Sequence, residues 1–148
     1  TVTDYTETLY APAAGSSFTI DLANGTTQKF VTNANTTITL PAALGTGDEF
    51  YFVTTVIATS NSHIIKVGST ADVMVGTISI TDTDTAGTVS AWATASTSDT
   101  VTLNRSTTGS VTKGEFVEFQ DVANNTWSVR GMLSCTGTAI TPFSSTVN

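Results

Sequence analysis

Charged residues are scarce in this chain. Asp, Glu, Lys and Arg make up 11% of its 148 residues, against roughly a quarter in an ordinary soluble protein. Five residues are Lys or Arg, twelve are Asp or Glu, and the net charge is −7. Five scattered cations cannot form the basic stripe that a phosphate backbone requires, and an anionic membrane surface repels such a chain. The composition therefore argues against binding to nucleic acid or to membranes.

Cysteine and histidine occur once each, as Cys135 and His63. A single cysteine excludes a disulfide within the chain and a thiolate metal cluster built from one copy. A single histidine cannot build the usual catalytic zinc site. No G-x-S-x-G context accompanies His63, so we predict that it is either structural or exposed. We expect no catalytic residue, no resident metal and no cofactor.

Long apolar runs are missing as well. No stretch approaches the roughly 20 apolar residues of a membrane helix. Residues 1–15 lack the basic and apolar regions of a signal peptide, and a signal peptide removed earlier would leave no trace. We expect the chain to be soluble as given.

What the chain does have is Thr, Ser and Ala, with short runs of Val, Ile and Phe separated by Gly, Asn and Asp. Runs spaced by about ten residues, with no helical periodicity, predict an all-β fold. The length fits one domain. We predict a single-domain antiparallel β-sandwich or jelly-roll-like barrel over residues 16–134, with an N-terminal arm over 1–15 and a C-terminal tail over 135–148. No internal repeat is evident.

Two stretches carry the clearest strand signals. The sequence FVEFQDVANNTWSVRGML, residues 116–133, predicts a hairpin that turns at Asn124-Asn125, with Trp127, Val129 and Leu133 on one face. The sequence FYFVTTVI, residues 50–57, is apolar on both faces, which predicts a central strand covered by a second sheet on one side and by a loop or another subunit on the other.

The two terminal segments, residues 1–15 and 135–148, contain a few apolar residues but are too polar to fold alone. They either lie on a partner or wrap their own domain, and the sequence leaves both alternatives open. Together with the outward residues of the doubly apolar strand, they supply the residues that we predict at a capsid or subunit interface. These residues are Tyr5, Leu9, Tyr10, Tyr51, Val53, Ile140 and Phe143.

Other candidate sites are weaker. Asp82 and Asp84 have the D-x-D spacing of a calcium loop but lack its bidentate Glu, so a solvated loop is predicted, and cation binding stays open. The neighbours Asp48 and Glu49 do not form the carboxylate pair of a glycosidase, and Glu115 and Glu118 fall on opposite strand faces as well. Trp92, Trp127 and Tyr51 are candidates for an exposed platform that would bind sugars, although Trp127 falls in register with core residues.

Three stretches together resemble a known group of proteins. They are TTITLPAALGTGDEFYFVTTV, ADVMVGTISI and GEFVEFQDVANNTWSVRG, and in this order they are similar to small structural proteins of tailed phages, of the head decoration (cement) type or from β domains of fibres. The resemblance covers most of residues 18–131. The chain has Gly114-Glu115 and Asn124-Asn125 where the group has Gly-Asp and Asp-Gly, substitutions that keep the turn chemistry.

The resemblance implies a non-enzymatic virion protein on the capsid exterior, a homotrimer whose partner is the major capsid protein. The alternative is a receptor- or glycan-binding domain of a phage fibre or bacterial surface protein. A pilus module would add donor-strand exchange by one of the arms.

Overall fold

The computed structural model of the chain describes residues 9–10, 17–19, 27–31 and 36–147. Within these ranges the secondary structure is β-strand, and no helix is long and apolar enough to cross a membrane. In chain order the strands are β1 Leu9–Tyr10, β2 Ser17–Thr19, β3 Thr27–Val31, β4 Thr37–Thr39, β5 Glu49–Val53, β6 His63–Lys66, β7 Val73–Asp82, β8 Val89–Ala93, β9 Thr100–Leu103, β10 Phe116–Ala123, β11 Thr126–Cys135 and β12 Phe143–Ser144.

The strands form two sheets that pack face to face. Sheet A has seven strands in the order β1-β3-β5-β10-β11-β7-β8, and sheet B has five in the order β12-β9-β6-β4-β2. One cluster of buried apolar side chains, drawn from both sheets, fills the space between them. The predicted all-β sandwich is therefore confirmed.

The strand pairing is mixed, whereas the sequence predicted an antiparallel sandwich. In the first half of the chain successive strands alternate between sheets A and B, and each pairs in parallel with the previous strand of its own sheet. The chain thus winds three times around the two sheets, and β1–β2, β3–β4 and β5–β6 are its successive turns. We call this flattened winding of parallel strands the coil. A strand that returns to its sheet after a full turn runs in the same direction as before, which makes the pairing parallel.

This coil is a structural repeat that the sequence did not predict. Leu9 pairs with Lys29 and Ser17 pairs with Thr37, an offset of 20 residues in both sheets. The next turn is longer, because Thr37 pairs with Ile64. Turns of unequal length hide the period from a search along the sequence.

The second half of the chain closes the sandwich with antiparallel pairs and one long parallel pair. The β10–β11 hairpin lies between β5 and β7, and β11 runs parallel to all ten residues of β7. In sheet B, β9 pairs antiparallel with β6 and with β12. The sheets extend beyond the predicted domain bounds, since β1 lies in the predicted N-terminal arm and β12 in the predicted tail.

The hairpin at residues 116–133 is confirmed. Its turn contains Asn125 with a φ of 61°, and the strand before it has a register shift between Asp121 and Ala123. Trp127, Val129 and Leu133 lie on one face, as predicted, and this face is buried. Trp127 is fully buried, and its ring lies 5.6 Å from that of Phe50.

The doubly apolar stretch is shorter than predicted. β5 ends at Val53, and Val56 and Ile57 lie exposed in the following loop. Within β5, Phe50 and Phe52 are buried, and the residues that alternate with them face away from sheet B and are only half-buried. The strand is central in sheet A, between β3 and β10, as the sequence predicted.

Candidate functional site

His63 lies inside the sandwich and has no catalytic partner in the described part of the chain. The side chain is 2% exposed, and neither ring nitrogen has a hydrogen-bond partner. Burial lowers the pKa of His63 from 6.5 to about 4. The imidazole is therefore neutral at pH 7 and occupies the core, so of the two alternatives from the sequence, structural or exposed, the structure shows the first.

Buried carboxylates hold the loops in place. The N–H groups of Leu44, Gly45 and Thr46 donate to the Asp121 carboxylate at 2.9, 2.7 and 3.1 Å. The Thr46 hydroxyl is shared between the carboxylates of Asp48 at 2.6 Å and Asp121 at 3.0 Å. Burial raises the pKa of Asp121, but the hydrogen bonds from Leu44, Thr46 and Gly45 lower it by more, so the net shift is downward. The side chain is ionised and fully occupied as an acceptor.

Glu115 does the same for the loop before β10. Its carboxylate accepts hydrogen bonds from the N–H groups of Ser110, Val111 and Thr112 at 2.7, 2.9 and 2.6 Å. Glu118 points to the opposite face and pairs with Arg130 at 2.7 Å on the surface. The two glutamates therefore lie on opposite faces, as the sequence predicted. They do not share a cleft and cannot act as an acid–base pair.

Asp82 and Asp84 line a cleft of about 340 Å³. Asp82 accepts a hydrogen bond from the N–H of Asp84 at 2.8 Å, and Asp84 accepts one from the N–H of Gly137 at 2.8 Å. Cys135 lies in the same cleft, where burial first and then the nearby Asp82 and Asp84 raise the pKa of its thiol. No group of three metal-ligating side chains occurs among the described residues, and a thiol with a raised pKa is a poor nucleophile.

The two tryptophans do not form a sugar-binding platform. Trp127 is fully buried, and Trp92 is half-buried against the core with its indole N–H enclosed. An aromatic platform requires a ring face that is open to solvent. Of the three aromatic candidates from the sequence, Tyr51 is the one whose side chain lies on an outer sheet face.

The outer face of sheet A carries an apolar patch. Val53 of β5 pairs with Phe116 of β10, which pairs with Met132 of β11, so the three lie in one row across the sheet. The ring of Tyr51 stacks on that of Phe116, with centroids 5.3 Å apart and an angle of 19° between the planes. Met132 is 58% exposed, and the other three are half-buried. We call Tyr51, Val53, Phe116 and Met132 the outer patch.

The remaining interface predictions fall in different places. Ile140 is 50% exposed, whereas Phe143 is 7% exposed and belongs to the core, where it pairs with Val101. Its side chain is therefore not accessible to a partner. Leu9 and Tyr10 form β1, and Tyr5 lies outside the described residues.

Sequence reasoning found half of the outer patch. Tyr51 and Val53 were predicted because they make β5 apolar on both faces. Phe116 and Met132 were missed because each is a single apolar residue on the polar face of its strand, and only the β5–β10–β11 register brings them together. The signal available in the sequence was the break in alternation at Met132.

Comparisons of the chain with protein-family models, with curated proteins and with solved structures gave no match.

Proposed function

We propose that the chain is a non-enzymatic structural protein of a virion, which binds the outside of a phage head as a homotrimer and stabilises the shell. The observation that carries the proposal is the outer patch. It places an aromatic pair, a valine and an exposed methionine side by side on the outer face of sheet A. Aromatic residues and methionine are enriched in the centres of protein interfaces.

The surroundings of the outer patch favour binding over chemistry. Buried carboxylates such as Asp121 and Glu115 hold the loops through backbone hydrogen bonds and are not available for proton transfer. The surface has few long charged side chains, so little side-chain entropy is lost when another surface covers it. Such a domain suits dense coverage of a shell with many equivalent sites.

The mechanism is thermodynamic. A protein that bridges neighbouring capsomers binds the assembled shell and has no equivalent site on its dissociated parts, so its binding free energy favours the assembled state. We assign the outer patch to contacts between subunits or with the major capsid protein. We assign residues 1–15, together with the exposed Ile140, to further contacts on the shell.

The test is binding to expanded phage heads that lack their decoration protein, prepared from the phage that encodes the chain. Bound copies are counted after sedimentation, and the mass of the free protein is measured by light scattering. We expect saturable binding that raises the temperature of shell disruption, and a solution mass that is a multiple of three times the 15.3 kDa chain.

A variant with Met132→Lys in the outer patch should lose at least about tenfold in affinity, since it places an unpaired charge in an apolar contact. The matched control is Val122→Lys, which adds the same charge at an exposed valine beside the hairpin turn, at the far end of β10, where Val122 is 48% exposed. Failure of folded wild-type protein to bind the heads would contradict the proposal. An equal loss of affinity in both variants would show that the outer patch is not the surface that binds the heads.

A second candidate function is receptor or glycan binding as part of a fibre. The stacked Tyr51–Phe116 pair favours it, because outward-facing aromatic rings can stack on sugars. Labelled protein on a glycan array separates the two functions. Binding that is lost in Tyr51→Ala, without binding to heads, would favour the fibre domain.

A further inference from the structure

The strand β8 forms one edge of sheet A. Among the described residues it pairs with β7 on one side and with no strand on the other. Val89 is 57% exposed, and Ala91 and Ala93 are also exposed. A strand edge of this kind presents unpaired N–H and C=O groups to its surroundings.

The hydrogen bonds at the two ends of the β7–β8 pair show which backbone groups are free. The N–H of Asp82 donates to the carbonyl of Thr88 at 2.9 Å, and the N–H of Thr94 donates to that of Gly76 at 3.0 Å. In an antiparallel pair, residues whose N–H and C=O groups point toward the partner strand alternate with residues whose N–H and C=O groups point away from it. The backbone groups of Thr88 and Thr94 point toward β7, and by this alternation those of Ser90 and Trp92 do so too. The backbone groups of Val89, Ala91 and Ala93 therefore point away from β7.

This edge lacks the features that normally prevent strand addition. Natural edge strands carry Lys, Pro, a bulge or an inward-pointing charge. Residues 85–98 contain no charged residue and no proline, and the β7–β8 register runs without a shift. The outward positions hold one valine and two alanines, which leave room for a close neighbour.

We propose that β8 pairs with β8 of a second copy of this chain, antiparallel, about a two-fold axis that lies midway between the two Ala91 residues. In this register Val89 lies opposite Ala93 of the other copy, and Ala91 lies opposite Ala91. Every outward N–H then meets an outward C=O, which gives about six hydrogen bonds in a continuous sheet that spans both copies. The larger Val89 meets the small Ala93, so the side chains fit as well.

An identical strand fits this edge in charge and in side-chain size. The chain carries a net charge of −7, so two copies repel each other over most of their surfaces. An uncharged edge is a place where they can approach, and its outward groups are complementary to themselves. The contact is separate from the outer patch on sheet A and goes beyond the proposed function. On a shell it would join neighbouring trimers across two-fold positions.

The experiment uses light scattering on the full chain over a dilution series. The key variant is Ala91→Pro, which removes an outward N–H and leaves the β7 ladder intact, as edge positions tolerate. Val89→Lys is the second variant. Its matched control is Val75→Lys, at an exposed valine of β7 that does not lie on the edge and is 43% exposed.

We expect the wild-type mass to be an even multiple of the chain mass at high concentration. We expect Ala91→Pro and Val89→Lys to halve it, and Val75→Lys to leave it unchanged. Circular dichroism establishes that each variant is folded. In hydrogen exchange, the Ala91 amide should be protected at high concentration and lose its protection on dilution.

The pairing would be overturned if the wild-type chain remained a monomer, or if its mass stayed at an odd multiple of the chain mass at every concentration. An unchanged mass in folded Ala91→Pro would overturn it as well. The result is independent of the proposed function, because loss of trimers through the outer patch changes the mass by a factor of three and loss of the β8 contact by a factor of two.

Discussion

At the scale of single residues, the described part of the chain uses its carboxylates as anchors for backbone N–H groups. Five of them are buried, although the surface has few charged groups to begin with. A buried carboxylate is stable only when its oxygens are well hydrogen-bonded. These five are Asp48, Asp72, Asp99, Glu115 and Asp121. Four of them, Asp72, Asp99, Glu115 and Asp121, accept backbone N–H groups, and Asp48 accepts the hydroxyl of Thr46. Oδ1 of Asp72 has no hydrogen-bond partner.

Replacing Asp121 by Asn should destabilise the fold by about 2 kcal/mol. The amide keeps one acceptor oxygen and turns an NH₂ group toward the N–H donors of Leu44, Gly45 and Thr46. Urea unfolding followed by tryptophan fluorescence measures the loss. The matched control is Glu118→Gln, which removes an exposed ion pair with Arg130 and should change stability little. Equal effects of the two variants would contradict the anchoring role.

His63 should make the fold less stable in mild acid. Its pKa is about 4 in the folded chain and near 6.5 when exposed, so the unfolded chain binds the extra proton between these pH values. Stability is therefore complete above pH 6.5 and falls as the pH drops to 4, by about 3 kcal/mol. Protonation of carboxylates such as Asp121, whose pKa is lowered, adds a further loss at lower pH.

The measurement is the free energy of unfolding at several pH values for wild type and His63→Leu. The variant should show a flatter profile between pH 6.5 and 4. Parallel profiles for the two proteins would show that His63 does not titrate in this window. Comparing the slopes separates the pH effect from any constant change in stability caused by the new side chain.

At the scale of elements, the long β7–β11 pair depends on a glycine. Gly76 has a φ of 147°, and a Cβ built there would lie 1.8 Å from the carbonyl oxygen of Val129. Gly76→Ala must therefore push the two strands apart, and we expect a loss of roughly 3 kcal/mol or more.

Thermal unfolding of Gly76→Ala and of a control variant tests this expectation. The control is Gly87→Ala, in the loop before β8, where φ is also positive, at 79°, but no atom lies within 4 Å of the new Cβ. It should cost only the local backbone strain, roughly 1 kcal/mol. A drop in melting temperature as large for Gly87→Ala as for Gly76→Ala would contradict a close contact with β11.

The hairpin and the coil show what could be predicted from the sequence. The β10–β11 hairpin was predictable because alternation and the Asn124-Asn125 turn are local signals. The coil was not, because parallel pairs such as β4–β6 join segments separated by more than 20 residues, among them a strand of the other sheet, and no local signal marks these pairs. The outer patch was half predictable for the same reason, since Met132 reaches Val53 only through the register of three strands.

At the scale of the whole molecule, the net charge opposes every contact between copies. Raising the salt concentration from about 0.01 M to 0.1 M shortens the screening length from about 30 Å to 10 Å and weakens this repulsion. Backbone hydrogen bonds and apolar contacts are affected far less. We therefore expect the wild-type chain to associate more strongly as salt is added, measured as a lower concentration at the midpoint of the light-scattering transition.

The variant Ala91→Pro provides the comparison for the salt series. Its remaining association, through the outer patch alone, should also strengthen with salt, but no doubling of mass should appear at any salt concentration. Association that weakens as salt is added would mean that ion pairs hold the copies together, which would contradict both the uncharged β8 contact and the apolar outer patch.

The long parallel pair also dictates the order in which the chain can fold. Val73 pairs with Thr126 and Asp82 pairs with Cys135, so each residue of β7 pairs with a residue 53 positions later in the chain. A ribosome releases the first half early, and its coil can form while β5 still has an open side. Sheet A closes only when the hairpin arrives and inserts between β5 and β7. Because such distant pairs form slowly, insertion of this hairpin should set the folding rate of the whole chain.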